Sequence, residues 1–366
     1  MEESPVDNIR ASSRYTQSRI REIHRQEELD LRRDFPSLQI SKDEVLEVAN
    51  KLKTQSAITA VELKILQCGL MDDMRNIKEF LSVQGALRGL VRELSGNDVS
   101  KQCVAASCCG NLAFTGEEKT NLVVATAAGP YLVMALSYFC TELVSISAWA
   151  LGNLAAAGRA AAALLQAQGA AAALARRLAG PAGDERDAAL YGLTHLANQL
   201  GDELRPELLG PLLDSTMAIG FTLKSTRFLF ILSCHDDFVI SAAYTAAMLA
   251  HLRHKSIPDH ITFCRARTGI CCDIHYLFRT LSNNIITDDY YTTVLDFFTE
   301  TSVLMDELIR CGGSLRTLIY WLLGNMFDHD TPNVHPFFSK LSRSCMADIV
   351  EIHDSVDFDP ALQEYV

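Results

Sequence analysis

Positive charge is what this chain is short of. It carries 33 Lys and Arg against 45 Asp and Glu, a formal net charge of −12 over 366 residues. A sequence-independent nucleic-acid binder needs a basic surface to displace counterions from phosphates, so that class is excluded. Catalytic signatures are missing as well. There is no P-loop, no G-x-S-x-G elbow, no H-E-x-x-H helix and no G-x-G-x-x-G behind a strand, so we expect neither an enzyme nor a cofactor. No segment alternates apolar and polar residues over a useful strand length, which argues against a sheet. Tryptophan occurs only twice, so its placement carries information.

Long charge-free runs are few. Thr120–Cys140 and Leu143–Gly158 lack charge, but Gly129–Pro130 interrupts the first and Glu142 separates the two. A helix buried on all faces inside a solenoid has the same composition, and no membrane span is expected. The 11 cysteines are odd in number, and residues 1–34 are polar and charged rather than apolar. The expectation is free thiols in a reducing compartment, cytoplasmic and nuclear. Adjacent Cys108 and Cys109 suit a buried helix better than a nucleophile, because no pairing His is indicated. Cys271 and Cys272 with His275, and His235 with Asp236 and Asp237, lack a complete ligand spacing, so no metal is expected.

What is present is a recurring fragment. It reads CCGNLAF at Cys108–Phe114, AWALGNLAA at Ala148–Ala156 and YWLLGNMFD at Tyr320–Asp328. Degenerate copies are LYGLTHLAN at Leu190–Asn198 and HYLFRTLSN at His275–Asn283. The aligned residues are Asn111, Asn153, His195, Thr280 and Asn325, separated by 42, 42, 85 (two periods) and 45 residues. A period of about 40–47 residues is that of a stacked three-helix solenoid, an architecture that binds other chains along one surface.

The helical pattern begins at Ser41, where S-x-x-E with Glu44 signals a capping box. Successive units are expected as Met74–Val83, Ala86–Leu94 and Val99–Ala113; Glu118–Ala128, Tyr131–Phe139 and Glu142–Ala156; Arg159–Gln168, Ala170–Leu178 and Glu185–Asn198. Gly85, Gly129–Pro130 and Gly169 mark the breaks. Beyond Gly201 the expected helices are Glu203–Leu213, Ser215–Leu223, Ser225–Cys234, Phe238–Ala250, Asp259–Asn284, Asp289–Ile309, Ser314–Met326 and a final pair in Val334–Ile352. Three regions follow: a charged, partly disordered arm at 1–36, a solenoid at 37–354, and an acidic tail at 355–366.

Both tryptophans occupy one position of the repeat. Trp149 precedes Asn153, and Trp321 precedes Asn325, by four residues, which places each pair on one helical face. A Trp ring can take a Lys or Arg stem and its cation, and an Asn can hold a peptide main chain by donor and acceptor. The same spacing equally suits a Trp in the core and an Asn that bridges neighbouring repeats.

On these motifs the chain resembles the armadillo-repeat proteins of the importin-alpha kind, closely over Asp73–Leu200 and loosely over Asp259–Ile352. The resemblance implies an all-α, right-handed armadillo superhelix (an ARM/HEAT-like solenoid). It also implies a groove that binds nuclear localisation signals, lined here by Asn111, Trp149, Asn153, Trp321 and Asn325. Thr115 and Thr120 fall where that family meets a signal lysine. The arginines Arg14, Arg19, Arg21, Arg25, Arg32 and Arg33 match a segment that binds an importin-beta carrier. The chain departs from the pattern at Ser107, at Tyr191 with His195, at Arg227 with Ile231, and at Tyr276 with Thr280. Residues 1–36 contain no Lys, and Leu154–Ala157 lacks the acid that often follows Asn153. The implied function is a nuclear import adaptor for a basic peptide. The alternative is an armadillo scaffold that no longer binds such signals.

Overall fold

A computed structural model describes residues 40–115, 118–266, 272–284, 286–311, 313–328 and 336–340. Among the described residues every regular element is helical and there is no strand. They divide into two compact units, the chain passing from one to the other between Ser215 and Thr216.

The first unit contains α1 (Lys42–Lys53), α2 (Ala60–Asp72), α3 (Met74–Ser82), α4 (Ala86–Leu94), α5 (Val99–Leu112), α6 (Glu118–Ala135), α7 (Thr141–Ala156), α8 (Arg159–Ala167), α9 (Ala170–Leu178) and α10 (Asp184–Leu200). α11 (Leu209–Ile219) crosses the boundary. The expected box opens α1: the Ser41 amide donates to the Glu44 carboxylate at 2.8 Å, and the Glu44 amide returns a bond to Ser41 Oγ at 3.3 Å. A second box, which the sequence reading did not include, opens α2. Thr59 N donates to Glu62 Oε2 at 2.7 Å, and Glu62 N donates to Thr59 Oγ1 at 3.2 Å.

Lys51 of α1 reaches the same Glu62 carboxylate at 2.7 Å. That bond, then the two from Thr59, hold the Glu62 carboxyl at about 2. A carboxyl with a depressed folded pKa contributes stability above its unfolded pKa and loses it as the pH falls. We expect acid to weaken the α1–α2 junction between about pH 4.5 and 2. Glu62→Gln should flatten that part of the pH–stability curve, measured by urea unfolding at stepped pH.

The last helix of each repeat stacks on its successor: α2 on α5, α5 on α7, α7 on α10. The Gly of the G-N motif exists for this approach. A Cβ on Gly152 would lie 2.7 Å from the Tyr191 ring and 3.1 Å from Gly192 Cα, closer than a side chain tolerates. At the α3–α4 and α8–α9 junctions, Gly85 and Gly169 take φ of 96° and 92°, the left-handed conformation that favours glycine.

Gly129–Pro130 behaves differently from expectation. α6 runs unbroken from Glu118 to Ala135 with Pro130 inside it. The proline removes the one helical hydrogen bond that would reach the Thr126 carbonyl, and the next repeat packs beside this turn, where Gln168 Nε2 donates to the Ala125 carbonyl at 3.3 Å. Gly129 leaves the room: a Cβ there would sit 2.9 Å from Leu165 Cδ2 of α8. Among the described residues no helix is long and apolar enough to cross a membrane.

The helices expected at Glu203–Leu213 and Ser215–Leu223 are replaced by two 3-10 turns, Gly201–Glu203 and Pro206–Leu208, and by α11. A Thr222–Ser225 box (Ser225 N to Thr222 Oγ1, 3.2 Å) starts the next helix instead. The second unit comprises α12 (Leu223–Ser233), α13 (Ala242–His251), a π turn at Leu252–Ser256, α14 (Ile257–Ala266), α15 (Cys272–Ser282), α16 (Asp288–Glu300), α17 (Ser302–Cys311), α18 (Gly313–Asp328) and α19 (Pro336–Lys340). α12, α15 and α18 form its stack. Asp289–Ile309 is two helices, not one: α16 ends at Glu300, and Thr301, with φ −105° and ψ 18°, leaves the helical conformation before α17 begins. The single helix expected at Asp259–Asn284 appears as α14 and α15, with 267–271 outside the described residues. Of Val334–Ile352 only α19 is described.

Cys108 and Cys109 are fully buried in α5. Burial pushes the Cys109 thiol up to about 12 and the Cys108 thiol well above its ordinary value. Such thiols stay protonated and unreactive at neutral pH, in line with a core role.

Candidate protein-binding surface

The candidate residues fall on the stacked last helices. Asn111 lies in the final turn of α5 and is half-buried. Its Nδ2 donates across the repeat boundary to the Gln67 carbonyl of α2 at 3.3 Å. Trp149 and Asn153 stand one turn apart on α7, the Trp half-buried and the Asn buried. Asn153 Oδ1 accepts a 2.6 Å hydrogen bond from the Tyr191 hydroxyl of α10. The Tyr191 ring also covers Trp149, with centroids 3.9 Å apart and planes inclined by 42°. His195, one turn further along α10, meets Tyr191 edge-on at 4.4 Å.

The second pair sits in α18 of the second unit. Trp321 is only 4% exposed, so it is a core residue and not an open wall like the exposed part of Trp149. Asn325 is half-buried, and its Nδ2 donates to the Ser282 carbonyl of α15 at 3.1 Å. The two Trp–Asn pairs therefore share a sequence register but not a degree of exposure. Thr115 ends the 3-10 turn Ala113–Thr115, and Thr120 is half-buried in the first turn of α6. Arg14, Arg19, Arg21, Arg25, Arg32 and Arg33 lie outside the described residues.

An inter-repeat bond of this kind recurs at residues that motif alignment passed over. Gln199 Nε2 donates to the Ala156 carbonyl at 3.2 Å, and Asn283 Nδ2 donates to Ser233 Oγ at 3.0 Å. Ala156 and Ser282 are the last residues of their helices, whose carbonyls lack an intrahelical donor. The next repeat supplies it. Gln199 and Asn283 lie three or four residues beyond His195 and Thr280, on the same face one turn later. The signal was a slipped register, not an absent amide.

Each last helix of the first unit opens on acid. Glu62 lies in α2, Asp98 caps α5, Glu142 starts α7, and Asp184, Glu185 and Asp187 fill the first turn of α10. Among the described residues no group of three His, Cys, Asp or Glu could hold a metal ion. His235 Nδ1 instead accepts from the Asp237 amide at 3.0 Å, a local turn. The side chains of Cys271 and Cys272 lie outside the described residues.

No family model matches the chain. No curated protein matches it either. Among solved structures, one engineered protein from a structural-genomics consortium aligns with a TM-score of 0.57 at 17% identity, over 77% of this chain and 68% of its own. A second engineered protein gives 0.46 at 18% identity, over 65% and 96%. The first is a likeness of all-helical fold alone.

Proposed function

We propose that the chain is a protein–protein adaptor of the importin-alpha kind, built from armadillo repeats that wind into a right-handed superhelix. Its last helices offer a surface to an extended basic peptide. The observation that carries this reading is the row α2, α5, α7 and α10, each packed on the next, with Asn111, Trp149 and Asn153 on successive members. A peptide crossing that row meets amide groups at the spacing of the helices and the exposed part of an aromatic ring. Trp321 and Asn325 hold the corresponding positions in the second unit, and Thr115 and Thr120 follow Asn111 in sequence. The net charge of −12 and the acids opening each last helix favour a basic partner and speed its capture. The arm from Arg14 to Arg33 is assigned to a carrier of the importin-beta kind, in cytoplasm and nucleus.

One observation favours the second reading, a scaffold without signal binding. The amides of Asn111 and Asn325 already bridge repeats, and Asn153 already accepts from Tyr191. Fluorescence anisotropy with a labelled lysine-rich peptide and the full chain separates the two. The adaptor reading expects micromolar binding that weakens with salt. A folded wild type that leaves the peptide unbound decides for the scaffold.

A further inference from the structure

We infer that Tyr191 is the specificity-determining residue of this surface, an internal occupant that closes the Trp149–Asn153 site to cationic side chains. The inference rests on the adaptor reading above. It starts from two contacts made by one side chain: the ring tilted against Trp149 with centroids 3.9 Å apart, and the hydroxyl donated to Asn153 Oδ1 at 2.6 Å. A methylene stem held between two aromatic walls needs about 3.5–4 Å of carbon–carbon contact on each side, so walls about 7 Å apart. The gap between Trp149 and Tyr191 is little more than half of that. No Lys or Arg stem enters it while Tyr191 stays in place.

The hydroxyl bond adds a second exclusion. It occupies the approach to Oδ1 of an Asn that is 5% exposed, so the acceptor a peptide N–H would use is already engaged. Tyr191 is also held where it is. Gly152 leaves the space its ring fills, since a Cβ there would fall 2.7 Å from two ring carbons. His195 packs edge-on against it at 4.4 Å. The phenol thus gives α7 from within what a ligand would give from outside: a flat ring for the Trp and a donor for the Asn. A basic peptide must displace it or pass over it, and affinity for lysine at this step is correspondingly low.

The test uses the full chain as wild type, Tyr191→Ala, Tyr191→Phe and Tyr191→Leu, with the labelled lysine-rich peptide. Circular dichroism checks folding. Acrylamide quenching reports on Trp149, because Trp321 is buried. Tyr191→Ala should bind about tenfold tighter than wild type, with Trp149 more quenchable and then protected by the peptide. Tyr191→Phe keeps the ring and should change affinity by less than about fivefold, the worth of one neutral hydrogen bond. Should Tyr191→Ala fail to fold, Tyr191→Leu carries the same expectation with a smaller gain. Wild-type binding that is equalled, not exceeded, by a folded variant with exposed Trp149 overturns the inference and leaves the adaptor intact. Absence of binding in wild type and opened variants alike overturns both.

Discussion

Phe80→Ala is expected to destabilise the first unit by about 4 kcal/mol. Phe80 is completely buried and among the largest side chains to be so. Its helix, α3, has nine residues, too few to persist in water without tertiary packing. Asn76, Ile77 and Phe80 are what that helix buries, and Asn76 Nδ2 donates to the Gly69 carbonyl of α2 at 2.9 Å. Removing the ring therefore takes away the main apolar anchor of the element and leaves a cavity that nine residues cannot collapse to fill. In a stacked array each repeat leans chiefly on its neighbours, so the damage should be local first. Hydrogen exchange should show α1–α4 losing protection before α7–α10, and urea unfolding should develop an early step. A loss below about 1.5 kcal/mol, or uniform loss of protection, would mean that α3 is not an integral part of the stack.

The helical class and the register of the first unit were legible because one pattern dominates. Apolar residues recur at helical spacing, and the G-N fragment returns every 42 residues from Asn111 to His195. α4 and α9 fall exactly where expected, at Ala86–Leu94 and Ala170–Leu178, since a left-handed Gly sets the start of each. Gly129–Pro130 was misjudged because a proline's local penalty was visible and the packing of the next repeat beside that turn, through Gln168 some 40 residues away, was not. Similarly, Asp289–Ile309 carries continuous helical periodicity, and the break at Thr301 is a single residue out of the helical conformation, which periodicity does not register.

The site was legible as positions and illegible as contacts. The i,i+4 pairing of Trp149 with Asn153 follows from sequence alone, and α7 indeed carries both. Tyr191 looked like a lost tryptophan. Its ring and hydroxyl reach the two residues it was expected to repeat one period later, 42 and 38 residues earlier in the chain. Only the distance between α7 and α10 decides that, and it is set by Gly152 and Gly192 rather than by the aromatic residues. Trp321 shows the converse. It keeps the motif, yet burial to 4% exposure makes it a core residue, so identity of motif did not carry identity of environment.

Gly89→Ala is expected to cost the first unit about 2–3 kcal/mol, against the sign that helix propensity predicts. In an open helix interior this substitution gains about 1 kcal/mol, because alanine has less backbone entropy to lose. Gly89 lies in the middle of α4 and is buried against the end of α1. A Cβ there would meet the Leu52 carbonyl oxygen, and would lie 2.6 Å from its carbon and 2.8 Å from Leu52 Cβ. The obstacle is backbone, which cannot rotate aside as a side-chain tip can. Leu52 is itself fully buried, so α1 cannot retreat without opening the core around it. Relief requires the two helices to separate by roughly an ångström along their contact, and close-packed interiors resist that. Urea unfolding of Gly89→Ala beside wild type measures the difference. A loss assigns the cost to the α1–α4 contact, whereas a gain would mean that α1 and α4 are not packed against each other as described.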